Sequence, residues 1–405
     1  MTRYVYDELN RVKQVTDPFT GTVQYRYDAV GNRTQLIYPD GKVVTSTFDA
    51  ANRLTGTLSW DGQLTTYAFD KAGRLITTTL PNGVATVNSY DDANHLVELT
   101  HSRGGELLGQ YAYELEGMGN RVTVTETKIT TSDPCYCPPG QICPTIACPQ
   151  SLSLLAAEPL SNSVSESSAQ QTIVLTSTVI HYTYDPLYRL TNANYSFGAD
   201  AYTFGYAYDA VGNRTVQTRT ITSTQVITYQ YDNANRMTKA GGVTYTWDNN
   251  GNLLNDGSAN YLYDRVNRLI STTLGGSTSL FNYSGDGVRL KQIVAGVVTT
   301  YTQDMASPLP VVVQAKTGTT TTPYLYGLGT RPLAQYTSGS AEYLLPDALG
   351  SVRQVVDANG NVTLAKSYEP YGTVLTSTGT ASSIFGHLGS RKCLCESLDT
   401  IRTTW

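Results

Sequence analysis

Carboxylates recur along this chain at a spacing that invites a chemical reading. Asp7, Asp28, Asp49, Asp70 and Asp91 stand 21 residues apart, and Asp185, Asp209, Asp232, Asp248 and Asp264 resume the series further on. Six of the ten have an arginine four residues later. Such carboxylates could exchange protons or hold a cation. A catalytic group, however, is normally unique, whereas one residue type returning with every unit is scaffold. An Asp at the end of a strand also has a simpler use, because its carboxylate accepts backbone N–H bonds two residues on and closes an Asx turn. The segments DNNGNLLNDG from Asp248 and DANGN from Asp357 resemble calcium loops, but both lack the glycine at the sixth position and the glutamate at the twelfth. Hairpin turns account for them better. His95, His101, His181 and His387 show no metal-ligand spacing to one another, and His95 stands where other units carry Arg. No nucleophile elbow, phosphate loop or dinucleotide fingerprint is present.

One further cluster has chemical potential. Cys135, Cys137, Cys143 and Cys148 fall within SDPCYCPPGQICPTIACPQ. Their spacing lacks the paired C-x2-C knuckles of a zinc site. Two local disulfides are the first reading, with unpaired thiols and a thiolate zinc site as alternatives. Disulfides would imply an oxidising compartment.

The elements that position these residues follow from a repeat. The unit is aromatic-x-aromatic-Asp, a few turn residues, then Arg and often Leu. It reads YVYDELNRV at Tyr4, YRYDAVGNR at Tyr25, STFDAANRL at Ser46, YAFDKAGRL at Tyr67 and NSYDDANHL at Asn88. A weaker copy begins at Tyr111. The series resumes at Tyr182, Tyr206, Tyr229, Tyr245 and Tyr261, and a degraded copy starts at Phe281. Two aromatics at i and i+2 share one face of a strand. Gly31, Gly73, Gly212, Asn52 and Asn235 supply the positive φ of the corner. Second reversals at Pro39, Asp61 and Pro81 carry Asp-Gly or Asn-Gly, strong hairpin signals. One unit is thus two short strands and two turns. A lone hairpin is marginal in water, so the units must pair edge to edge. The spacing predicts one long antiparallel sheet that twists into a spiral or shell. Aromatics at i, i+2 are first the packing face of that sheet, although their rings would also suit sugars.

Composition agrees with an all-β protein. The 405 residues include 58 Thr, 35 Gly and 30 Tyr against 7 Phe, and only 15% are charged, below the roughly 25% of an average domain. Forty aromatic residues are too many for a solvated coil. The net charge of −5, without a dense basic patch, excludes a nucleic-acid backbone as partner. No apolar run approaches 18 residues, so no membrane-spanning helix is expected. No cofactor is expected either. The opening Met-Thr-Arg-Tyr has no apolar signal core and enters the repeat at once.

The organisation divides into a repeat array at 1–127, a Cys/Pro/Ser-rich insertion at 128–180, a second array at 181–295, a degenerate segment at 296–342, a distinct motif at 343–386 and a divergent tail at 387–405. Within the motif, Asn359-Gly360 is expected to join VRQVVDA and NVTLAKSYE as a two-residue hairpin.

The Y-x-Y-D-x-x-G/N-R-L units resemble the YD repeats of Rhs proteins. DALGSVRQVVDANGNV…YEPYG resembles the Rhs repeat-associated core, on Asp347, Gly350, Ser351, Val352, Arg353, Asp357, Asn359, Gly360, Pro370, Tyr371 and Gly372. The resemblance covers residues 1 to about 386. It implies a strand spiral forming a hollow cocoon, as in toxin-complex shell subunits and teneurins, in large bacterial secreted or surface proteins that enclose or display a variable C-terminal toxin. It also implies self-cleavage by Asp residues downstream of the core, but only Phe385-Gly386 and Gly389 fit the expected continuation, and no catalytic residue carries over. Residues 387–405 lose the pattern and add Cys393 and Cys395, as a shifted reading frame would produce; a divergent terminus is the alternative. The expectation is therefore a non-catalytic structural module, a C-terminal piece of a longer secreted or surface Rhs-type polypeptide whose partners are the rest of that chain and its effector. The alternative is an adhesion module that binds glycans.

Overall fold

A computed structural model describes residues 2–19, 21–131, 173–198, 200–307 and 309–387. The four cysteines of the insertion and the tail beyond His387 lie outside the described residues, and with them the disulfide, thiol, zinc and reading-frame expectations.

Among the described residues the chain forms 33 strands and no α-helix. With one exception, each strand pairs antiparallel with the next in sequence, from Arg3–Tyr6 to Val374–Gly379. The meander is the expected one, but it is two sheets rather than one, of 19 and 14 strands. The break falls at Tyr245, between Val243–Thr244 and Thr246–Trp247. Its N–H turns to the Thr238 carbonyl (2.9 Å) while its ring is buried among Tyr229, Leu253 and Tyr261. The strands on either side of the insertion, Arg121–Thr131 and Ile173–Tyr184, pair with each other from Thr123↔His181 to Thr131↔Ile173.

The corners share one geometry. At Asp28 the Gly31 N–H reaches the Asp28 carbonyl (3.3 Å), and the Asp28 N–H reaches the Asn32 carbonyl (3.0 Å). The register slips by one residue just before the Asp, so the corner is a turn followed by a left-handed bulge residue. That residue is Gly or Asn at most corners and Tyr188, at φ 59°, at one. The hairpin between Val352–Val356 and Val362–Tyr368 corrects the two-residue expectation. Asp357 N–H bonds the Asn361 carbonyl (3.0 Å) and Gly360 N–H the Asp357 carbonyl (3.0 Å), so this is another Asp-started five-residue corner. Asp357 prevails because its carboxylate accepts the N–H groups of Asn359 and Asn361 (2.9 and 2.8 Å), which a two-residue turn would leave open.

Side chains alternate across each strand. The first aromatic of a unit is buried, as at Tyr25, Tyr67, Tyr206 and Tyr261, and the residue after it is exposed. The aromatic face is therefore the inner one. It is covered by the chain's own C-terminal part. Tyr38, Asn82, His101, Tyr195 and Tyr208 lie on separate strands or corners of the first sheet. Their side chains bond Tyr324, Asp357, Pro346, Tyr368 and Tyr371 respectively. The strands Gly21–Tyr27 and Asp200–Tyr208 are twelve spacings apart, about 58 Å in a flat sheet. Yet Tyr25 and Tyr208 both bond that segment, at Met305 and Tyr371. The first sheet therefore curls around the end of the second.

Candidate functional site

The repeated aspartates sit at the corners, on the outside. Asp7, Asp28, Asp49, Asp185, Asp209, Asp232, Asp248 and Asp264 each accept backbone N–H groups two and four residues on, at 2.8–3.1 Å. Asp70 does so from Ala72 and Arg74 (both 2.9 Å), and Asp91 accepts from His95 N–H (2.7 Å). These N–H groups favour the charged form; at Asp49 the Arg53 N–H is the largest cause holding the carboxyl below its ordinary range.

The paired arginine has a further use. Arg11 Nε donates to Asp7 (2.7 Å), its Nη1 donates to the carbonyl of Asp28 in the following corner (3.1 Å), and its guanidinium lies 4.6 Å from the Tyr27 ring centre. Arg53, Arg74, Arg189 and Arg268 repeat this with Phe69, Tyr90, Tyr208 and Tyr283. The second tyrosine of the unit donates its hydroxyl back to the previous repeat: Tyr27 to Val12, Tyr90 to Leu75, Tyr208 to Leu190, Tyr283 to Leu269, at 2.7–3.0 Å. Repeats are thus fastened to their neighbours by an arginine, a phenol or both. His95 takes the arginine's place beside Asp91 at 3.0 Å. Among the described residues no group of three His, Cys, Asp or Glu is arranged to hold a metal.

The motif residues gather inside. Asp347 starts a corner, accepting Leu349 N–H and Ser351 N–H (both 3.0 Å), with Gly350 at φ 87°. Ser351 and Val352 are buried, and Val352 N–H bonds the Gly386 carbonyl (3.0 Å). Arg353 is 4% exposed. Its guanidinium pairs with Glu126 on the Arg121–Thr131 strand and stands 3.6 Å from Asp347. The rings of Tyr111 and Tyr368 flank it at 5.4 and 5.5 Å. Lys128, also buried, donates to the Lys366 carbonyl (3.2 Å) and to Ser367 Oγ. Burial, with Arg353 nearby, pulls its pKa down to about 8. Two cations and two carboxylates therefore share one buried compartment.

Pro370, Tyr371 and Gly372 close its edge. Tyr371 Oη is 2.7 Å from Tyr208 Oη, and Arg214 lies 5.1 Å from its ring centre. Gly372, at φ 95°, is required here, since a Cβ would meet the His387 ring at 2.7 Å. Glu369 pairs with Arg219 at 2.7 Å. At the Asp357 corner Asn359 is exposed and Gly360 is buried against Arg103, while the Asp357 carbonyl accepts Asn82 Nδ2 (2.9 Å).

Sequence reading did not single out Glu126 or Lys128, and it met Tyr111 and Tyr368 only as parts of a weak repeat and of the YEPYG motif. A signal existed in TVTETKITT: Val124, Glu126 and Lys128 share one strand face, so burial of the valine carries both charges inward. Chemically, an arginine placed between carboxylates neutralises them and pins strands from distant parts of the chain. A carboxylate dyad sharing one proton, as in an aspartyl protease, would need that cation absent.

A curled wall of Asp-cornered hairpins closed on its own C-terminal segment defines a repeat-shell protein. Comparison supplies the family. The Teneurin YD-shell family model matches residues 161–392, and the RHS Repeat model matches 6–43, 48–85 and 69–107. The chain belongs to the YD-shell family. No curated protein matches the sequence. Among solved structures, a Tc holotoxin pore of Photorhabdus luminescens superposes with a TM-score of 0.70 at 16% identity, over 97% of this chain and 21% of that one. The crystal structure of TcdB2-TccC3 gives 0.70 at 17%, over 97% and 22%, and that of TcdB2-TccC3-Cdc42 gives 0.68 at 16%, over 97% and 21%. The chain therefore has the shell fold and spans about a fifth of those larger chains.

Proposed function

We propose that this chain is a non-catalytic wall section of a larger secreted or surface Rhs-type β-shell, one that encloses or displays a C-terminal effector. In this reading residues 1–127 and 181–295 are wall, 128–180 is an insertion in it, and 296–342 leads into the segment 343–386 that the wall encircles. The tail 387–405 follows. The observation that carries the proposal is that convergence: hydrogen bonds from Tyr38, His101, Tyr195 and Tyr208, on well-separated strands, all land on residues 324–371. Such an arrangement suits containment, because it buries the aromatic face on an interior and leaves corners outside. The composition of TcdB2-TccC3, a pairing of two named components, supports the expectation of a partner. The glycan reading loses ground, since the tyrosine ladder faces inward; among the described residues only Tyr6 and Tyr188 are large exposed tyrosines.

Mass spectrometry of the native protein from its source tests the proposal. The expected product is a polypeptide well above 44.0 kDa with an additional domain that resists added protease until the shell is unfolded. A sole product of 44.0 kDa would overturn it.

A further inference from the structure

Arg331 is a corner arginine without its carboxylate. Tyr324, Tyr326 and Arg331 have the spacing of Tyr4, Tyr6 and Arg11. The register agrees: Tyr326 pairs with Pro332 as Tyr6 pairs with Val12, leaving five corner residues in each case. Gly327 thus occupies the place of the corner Asp. A side chain cannot return there, because a Cβ on Gly327 would lie 1.9 Å from Tyr67 Oη. Arg11, Arg53, Arg74, Arg189, Arg236 and Arg268 all hold an Asp four residues back. Arg331 has only the Ala348 carbonyl, at 3.4 Å, and no described carboxylate within ion-pair distance.

Tyr67 Oη fills the place of that side chain, and Tyr67, Gly327 and Arg331 together border a cavity. It has a volume of about 530 Å³, within the range of small-molecule sites. Leu75, Leu80, Leu99, Leu333, Leu344 and Pro346 give it a mainly apolar lining, and Arg331, itself exposed, lines it where it meets solvent. An uncompensated guanidinium prefers a carboxylate, which it can grip through two parallel N–H groups. An apolar recess beside it prefers an alkyl chain.

We propose that this cavity binds a single-chain amphiphilic carboxylate, with its head on Arg331, which has no corner Asp of its own, and its chain among the leucines. The proposal is independent of the shell reading. Calorimetric titration of the full chain with dodecanoate, below its micelle concentration, tests it, with dodecanol and dodecyltrimethylammonium as comparison probes. Saturable binding of one dodecanoate per chain is expected. Arg331→Gln, a surface change, should weaken dodecanoate at least tenfold and leave dodecanol unchanged. Leu75→Trp, with folding checked by circular dichroism, should weaken both by narrowing the cavity. Absence of saturable binding to the folded chain would overturn the proposal. So would equal affinity of Arg331→Gln for dodecanoate, or equal affinity of the native chain for the cationic amphiphile.

Discussion

His101 shows how much one buried residue can report. It is fully enclosed, with Nδ1 2.8 Å from Thr86 Oγ1 and Nε2 2.9 Å from the Pro346 carbonyl. A carbonyl only accepts, so Nε2 carries the proton and Nδ1 accepts from Thr86. Burial lowers its pKa to about 4 from 6.5. Protons then bind the unfolded chain first as pH falls, so the stabilisation is complete above pH 6.5 and is lost between 6.5 and 4. The ceiling is about 3 kcal/mol. Burial also lowers His387, so urea unfolding of His387→Gln is compared with His101→Gln in the same background. Loss of stability across pH 6.5–4 should shrink sharply when His101 is absent; an unchanged slope would refute its burial against Pro346. Tyr188 makes a separate residue-scale case. It takes φ 59° at a corner position where other units place Gly or Asn, and its ring is half exposed. Left-handed backbone costs a non-glycine side chain about 1 kcal/mol or more. Tyr188→Asn should therefore raise the unfolding free energy by about 0.5–1 kcal/mol, read from the denaturant midpoint.

At the scale of the hairpin, the excess of tyrosine over phenylalanine acquires a reason. Where the second aromatic of a unit is Tyr27, Tyr90, Tyr184, Tyr208, Tyr231 or Tyr283, it spends its hydroxyl on a carbonyl of the preceding repeat, as Tyr90 does on Leu75 (3.0 Å). Tyr90→Phe keeps the ring under Arg74 but deletes that bond, and should cost about 1 kcal/mol. Tyr67→Phe is the contrast, since the Tyr67 hydroxyl has only a long contact to Thr57 (3.4 Å). Matched unfolding curves should separate the two; equal losses would mean that the hydroxyl bond to Leu75 does not fasten the repeats. The alternation of strands and corners was legible in the sequence because it depends on local chemistry: Asp, then Gly or Asn, then aromatics at i and i+2. The fastening was not legible. For Tyr27, Tyr90, Tyr208 and Tyr283 it joins residues 14 to 18 apart through side-chain reach, which a strand-by-strand reading does not measure. The Asn359-Gly360 hairpin was misread for a related reason: the dipeptide signal was given weight, while the preceding Asp357, the residue that opens the other corners, set the turn.

For the molecule as a whole, the sequence carried the sheet and its tendency to coil but not what lies inside it. Closure depends on pairings more than 160 residues apart, above all Arg353 with Glu126, and no periodicity encodes them. That pairing makes a prediction about coupling. Removing one member of a buried ion pair strands the other, at a cost of about 3–5 kcal/mol. Arg353→Met leaves Glu126 buried beside Asp347 with only Lys128 to compensate. If the first sheet truly curls around the motif, the loss is shared by strands distant in sequence. Hydrogen exchange should quicken in Val352–Val356 and, by a similar factor, in Arg121–Thr131 and Asp200–Tyr208, which contribute Glu126 and Phe204 to the same interior. The strands Ala259–Tyr263 and Leu269–Leu274 pack in a separate apolar cluster and should keep their native rates. Faster exchange confined to Val352–Val356 would mean that the wall stands without its filling, and the closed architecture would have to be abandoned.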